Sequence, residues 1–122
     1  MERLCVVLLE RGHDHAESLL LQVKICGHEA YVCFSPDECL RTAERVKANA
    51  VLMNAGQPMD RACQLGDRLR QLEHGVSLIL RVAQPSDQVD CQRSLQSGIR
   101  LHLVKPVYPT ILEHAFQMYF GQ

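Results

Sequence analysis

No apolar run in this 122-residue chain approaches the roughly 18 residues needed to cross a bilayer, and no leader pattern follows Met1. A membrane protein is therefore not expected, and a cytoplasmic one is. There is no basic stripe or Arg/Lys block, and the net charge is −1, which argues against nucleic acid as the main partner. No Cys-x-x-Cys pair occurs. Cys5, Cys26, Cys33, Cys39, Cys63 and Cys91 are scattered, mostly within apolar segments, and read as reduced core thiols rather than a disulfide framework. A Gly-rich phosphate loop and a nucleophile–base pair are both missing, so an enzyme is not expected, nor a cofactor. Repeats, low-complexity tracts and linkers are absent too. What remains is one domain spanning residues 1–122, with the 47% apolar and 22% charged content of an ordinary globule.

The patterning that is present alternates strand and helix five times. "LCVVLL" (4–9) is a continuous apolar run suited to a buried strand. Asp14 and Glu17 form a capping box for a helix that Gly27 ends. "EAYVCF" (29–34) alternates at period two, and Ser35, Pro36 and Glu38 start the next helix, with Leu40, Ala43 and Val46 on one face. "AVLM" (50–53) is the third strand, followed by Ala62, Leu65, Leu69 and Leu72 at helical spacing. "VSLIL" (76–80) is the fourth strand. The helix after it, about 86–97, carries mainly Val89 and Leu95 as apolar residues and should be the least firmly held element. Residues 100–104 form the fifth strand, and a last helix begins near Pro109. Such alternation implies a parallel five-stranded sheet between two helical layers, an α/β flavodoxin-like (βα)5 three-layer sandwich with strand order 2-1-3-4-5.

In this architecture sites form at the carboxyl ends of the strands. Glu10 and Arg11 follow strand 1, Asn54 follows strand 3, Arg81 follows strand 4 and Lys105 follows strand 5. Here the chain resembles the receiver domains of bacterial two-component response regulators. The resemblance runs through "GHEAYVCFSPDECLRTA" (27–43), "VLMNAGQP" (51–58) and "SGIRLHLVKPV" (97–107) with its Lys105-Pro106 pair. It implies a role in phosphorelay signal transduction, but the site departs from the pattern. Glu10-Arg11 replaces a pair of acidic residues that hold Mg²⁺, and Asn54 replaces the phosphoacceptor aspartate. Arg81 falls where Thr or Ser is usual, and His102 takes the aromatic switch position. Lys105 alone is in keeping.

An acyl phosphate needs a carboxylate nucleophile, and the Asn54 amide carries no charge. Arg11, Arg81 and Lys105 against Glu10 sum to about +2. A divalent cation roughly 6 Å from that charge costs on the order of 10 kcal/mol at an effective dielectric near 20. The expected arrangement is a fixed one, with Lys105 paired to Glu10 and hydrogen-bonded to the Asn54 carbonyl. "GHDH" (12–15) invites a metal reading through His13, Asp14 and His15, but Asp14 serves as a helix cap and no metal is expected; His28, His74 and His114 read as loop or surface residues.

On a helical wheel the last helix is apolar over an arc of roughly 200°, where one buried face needs little more than about 100°. Ile111, Leu112, Phe116, Tyr119 and Phe120 therefore suggest a second contact. The candidates are a homodimer, or a protein partner such as a sensor kinase or other signalling protein, docked on the helix 4–strand 5–helix 5 face. The favoured reading is a phosphorylation-independent interaction module, a pseudo-receiver with no attached output domain. The alternative is an anion- or small-ligand-sensing domain that uses the cationic strand ends.

Overall fold

The computed structural model describes residues 2–10, 13–54, 58–86 and 91–121, with the backbone alone described at 13–18 and 91. Five strands alternate with five helices: β1 (Cys5–Leu9), α1 (His13–Ile25), β2 (Glu29–Cys33), α2 (Pro36–Val46), β3 (Ala50–Met53), α3 (Met59–Arg70), β4 (Leu78–Ala83), α4 (Cys91–Gln96), β5 (Ile99–Val104) and α5 (Pro109–Phe120). All strand pairs are parallel, in the order β2-β1-β3-β4-β5. This is the flavodoxin-like sandwich that the alternation implied.

The unbroken apolar runs of β1 and β3 follow from burial on both faces. Val6, Leu8, Ala50 and Leu52 pack with Leu19 and Val23 of α1 and with Leu112 and Phe116 of α5. Val7, Leu9, Val51 and Met53 pack on the opposite face with Leu40 and Ala43 of α2 and with Leu65 and Leu69 of α3. Helix ends follow local chemistry. Ser35 Oγ accepts from the Glu38 N–H at 3.2 Å, while Glu38 Oε2 accepts from the Phe34 N–H rather than that of Ser35. Gly27 (φ 90°) ends α1, with Gly27 N–H donating to Lys24 O and His28 N–H to Val23 O, the pairing that satisfies the last orphan carbonyls. Helix α1 starts at His13, so Asp14 lies inside its first turn and not at the cap.

The sequence reading stops strand 4 at Leu80, before a charged residue; β4 continues to Ala83. As an inner strand it is hydrogen-bonded on both sides, so Arg81 is carried inside the sheet, in register with Met53 and His102. A bulge opposite Ile79–Leu80 then places two residues of β5, Arg100 and Leu101, against one step of β4. The bulge turns His102 toward the face that Ile99 occupies; without it His102 would point to the other layer.

Candidate functional site

Glu10 and Asn54 extend the ladder one residue past β1 and β3. The Glu10 N–H donates to Cys33 O and the Asn54 N–H to Leu9 O, each at 2.9 Å. This puts two side chains from adjacent strands at one level, both buried (2% and 4% exposed). Asn54 Nδ2 donates to Glu10 Oε1 at 2.5 Å. Lys105 reaches the same end of the sheet, its N–H donating to Ala83 O at 3.0 Å and its bond to Pro106 cis. The expected Lys105–Glu10 pair is not what holds this corner. Glu10 takes the Asn54 amide, and among the described residues the half-buried Lys105 ammonium makes no hydrogen bond or ion pair. The amide is the nearer donor, delivered by the neighbouring strand with little side-chain entropy to lose.

The expected cation cluster is described only in part. Arg81 is two residues short of the end of β4 and only 5% exposed, and Arg11 lies outside the described residues. Ala83 closes β4 and Gln84 follows it, neither with a hydroxyl. The donor set does not suit Mg²⁺, which wants several hard anionic oxygens, because one Glu10 oxygen is already occupied by an N–H. Among the described residues no three His, Cys, Asp or Glu side chains converge as a metal group, and His13, Asp14 and His15 have no described side chains.

Arg81 and His102 instead terminate a row across one sheet face: Cys33, Leu9, Met53, Arg81, His102. The first three belong to the apolar core, so the row turns from apolar to cationic and titratable where α4 covers it. His102 Nε2 lies 2.9 Å from Ser94 Oγ, and Ser94 Oγ donates to Met59 Sδ at 3.6 Å, which leaves its lone pairs for an Nε2–H from the ring. Burial first, and then the Arg81 charge, lower the proton affinity of His102 below the usual imidazole value of 6.5.

The grip on α4 is polar. Ser94 and Ser97 face inward, at 1% and 6% exposure, whereas Leu95, one of the two apolar residues read in this helix, faces solvent. Arg93 pairs with Asp60 of α3, and Arg70 Nη2 donates to Gln96 O at 3.0 Å. Val89, the other apolar residue read there, lies outside the described residues.

On α5 the expected interface separates into two sets. Leu112 and Phe116 are fully buried core residues and so present no outer contact, while Phe120 is partly buried against the same core. Leu112 and Phe116 point straight at the sheet. Ile111 and Tyr119 are exposed, with Met118 beside them, and Tyr119 Oη reaches Arg100 O of β5 at 3.5 Å. Leu95 of α4 and Val104 of β5 are exposed as well.

Sequence reasoning missed His28, taken for a loop or surface residue. It is buried, its Nδ1 accepts the Leu4 N–H at 3.0 Å, and its ring meets Phe116 edge-on, with centroids 5.1 Å apart. Its place directly after the helix-ending Gly27 and before a strand was the available signal.

No protein-family model matches the sequence, and no curated protein matches it. Solved structures do. The chemotaxis protein CheY4 of Vibrio cholerae superposes with a TM-score of 0.84 at 16% identity, covering 98% of this chain and 100% of that one. The receiver domain of the sensor histidine kinase PA1611 of Pseudomonas aeruginosa, with magnesium in its active-site cleft, gives 0.81 at 21% identity, covering 99% and 100%. A CheY-like receiver domain from Methylobacillus flagellatus gives 0.83 at 18% identity, covering 97% and 99%. At these identities the likeness shows the fold, that of response regulator receiver domains.

Proposed function

We propose that this chain is a single receiver-like domain of two-component signalling ancestry that has lost phosphotransfer and acts, not as an enzyme, by docking a protein. The observation that carries the reading is the Asn54–Glu10 hydrogen bond. Where the resemblance calls for an anionic nucleophile beside an open cation site, a neutral amide stands after β3 and donates to Glu10 Oε1; the amide has no charge with which to attack phosphorus, and one carboxylate oxygen is already engaged. The corner is a static join between β1 and β3. The partner, a second copy or another signalling protein, would dock on the apolar surface of Leu95, Val104, Ile111, Met118 and Tyr119, since large exposed apolar side chains grouped on one side of a domain mark interaction sites. The anion-sensing alternative loses its main support with Arg81, which is buried within the sheet.

The test is incubation with acetyl phosphate, or with beryllofluoride plus Mg²⁺, followed by intact mass and thermal melting. Neither a phosphorylated species nor a raised melting point is expected. Either one sinks the proposal.

A further inference from the structure

The join between β5 and α4 runs through a titratable ring. His102 stands beside Arg81, its in-register neighbour on β4, and its Nε2 reaches Ser94 Oγ of α4. Its other nitrogen, Nδ1, is buried with no hydrogen-bond partner. Among the described side chains of α4 no apolar one is buried, Leu95 being in solvent, so the ring's contact matters to its seating.

We propose that His102 is a proton-operated latch: neutral, it holds Ser94 and keeps α4 on the sheet; protonated, it leaves its seat and frees α4 to move. A proton added at Nδ1 creates a buried N–H with no acceptor, and it sets a second cation beside the Arg81 guanidinium. Both costs are relieved when the ring swings into water. Among the described residues, the charged groups on the elements around the ring include Arg81 of β4, Arg100 of β5, Lys105 beyond its end, and two ion pairs where α3 meets α4, Arg93–Asp60 and Arg70–Asp67. The ion pairs are internally neutral, and the Arg81 charge opposes protonation of the seated ring. Burial acts in the same direction, which puts the release below pH 6.5. The latch does not depend on whether Asn54 can accept phosphate, because it uses the sheet face and not the strand-end corner.

Nuclear magnetic resonance of the full chain tests it. The His102 ring signals should titrate with a midpoint below 6.5. Over the same span, the exchange protection of the α4 amides, corrected for intrinsic rates, should fall about fivefold, the worth of one hydrogen bond. His102→Gln should leave that protection flat with pH. Ser94→Ala should loosen α4 already at neutral pH and remove the pH-dependent part. Protection that stays level while the wild-type ring titrates overturns the proposal. So does a ring midpoint at or above 6.5, or an α4 transition that persists in His102→Gln. If His102→Gln does not fold, the wild-type titration and Ser94→Ala still decide.

Discussion

Single side chains decide the chemistry of this molecule. Asn54→Asp is the substitution that would restore an acid after β3, yet it replaces a donor by a second carboxylate where Glu10 Oε1 now sits 2.5 Å away. Two ionised carboxylates at that separation repel, so one must take up a proton or the corner must open. The variant should lose about 1–3 kcal/mol of stability at pH 7.5, the range for a buried polar group stripped of its partner. Millimolar MgCl₂ should raise its melting point and leave that of the parent unmoved, since only the variant places two carboxylates at this corner. A variant as stable as the parent would show that the hydrogen bond does not hold the corner. His28 gives a second residue-scale expectation. Its Nδ1 must stay unprotonated to accept the Leu4 N–H, and burial lowers its proton affinity below the usual 6.5 despite an opposing pull from Glu113. Below that value the unfolded chain binds more protons than the folded one, so stability is complete above about pH 6.5 and falls as the pH drops toward the lowered folded value. His102 is shifted the same way and adds to the slope. Urea denaturation between pH 7.5 and 5 should show this decline, and His28→Asn, which keeps an acceptor near Nδ1 but cannot titrate, should flatten part of it.

Among the elements, α4 is the one whose sequence least resembles its environment. Leu95 faces solvent while Ser94 and Ser97 face the protein, because α4 rests on a polar stretch of the sheet and on charged residues of α3. Close backbone approach does what apolar packing does elsewhere: a Cβ on Gly66 of α3 would lie 2.6 Å from the Ser97 carbonyl oxygen. Gly66→Ala should therefore destabilise by about 1–3 kcal/mol through overpacking, although alanine is the better helix former. Leu95→Ser should stay within about 0.5 kcal/mol of the parent, as exposed substitutions do. Equilibrium denaturation of the pair checks both, and the reverse order would mean that Leu95 anchors the helix after all. The strands show where legibility ended. β1 and β3 were readable to the residue or nearly so, because an apolar run covered on both faces has only one use. β4 was not: a charge after "VSLIL" looks like a strand end unless the hydrogen bonds on both sides are known. β5 was harder still, since a bulge leaves no mark in composition yet decides which layer His102 faces. Glu10, Asn54 and Lys105 stand directly after β1, β3 and β5, as read, because those three strand ends were legible. Arg81 was misplaced because it depended on a strand end.

At the scale of the whole molecule, one sheet serves two purposes that the sequence blended into a single wide apolar arc on α5. Residues pointing at the sheet, Leu112 and Phe116 above all, build the core that α5 shares with α1; those on the flank toward β5 stay in contact with water. The two sets respond differently to substitution. Phe116→Ala should cost about 3–5 kcal/mol by leaving a cavity beside the His28 ring, and any loss of association that accompanies it reports unfolding rather than docking. Val104→Glu and Met118→Glu introduce charge at positions 53% and 63% exposed, where no core contact is lost, and should leave the melting point within a degree or two. Placed in a dry interface, the same charges should weaken association at least tenfold, because a desolvated carboxylate without a partner costs more than about 1.4 kcal/mol. Sedimentation equilibrium of the parent and both variants separates the occupants. If a second copy docks on this face, the parent self-associates at high concentration and both variants remain monomeric at unchanged stability. If the parent is itself a monomer, the occupant is another protein, and the variants should then fail to bind it. Association that survives both substitutions would mean that the α4–β5–α5 surface is not where this domain docks.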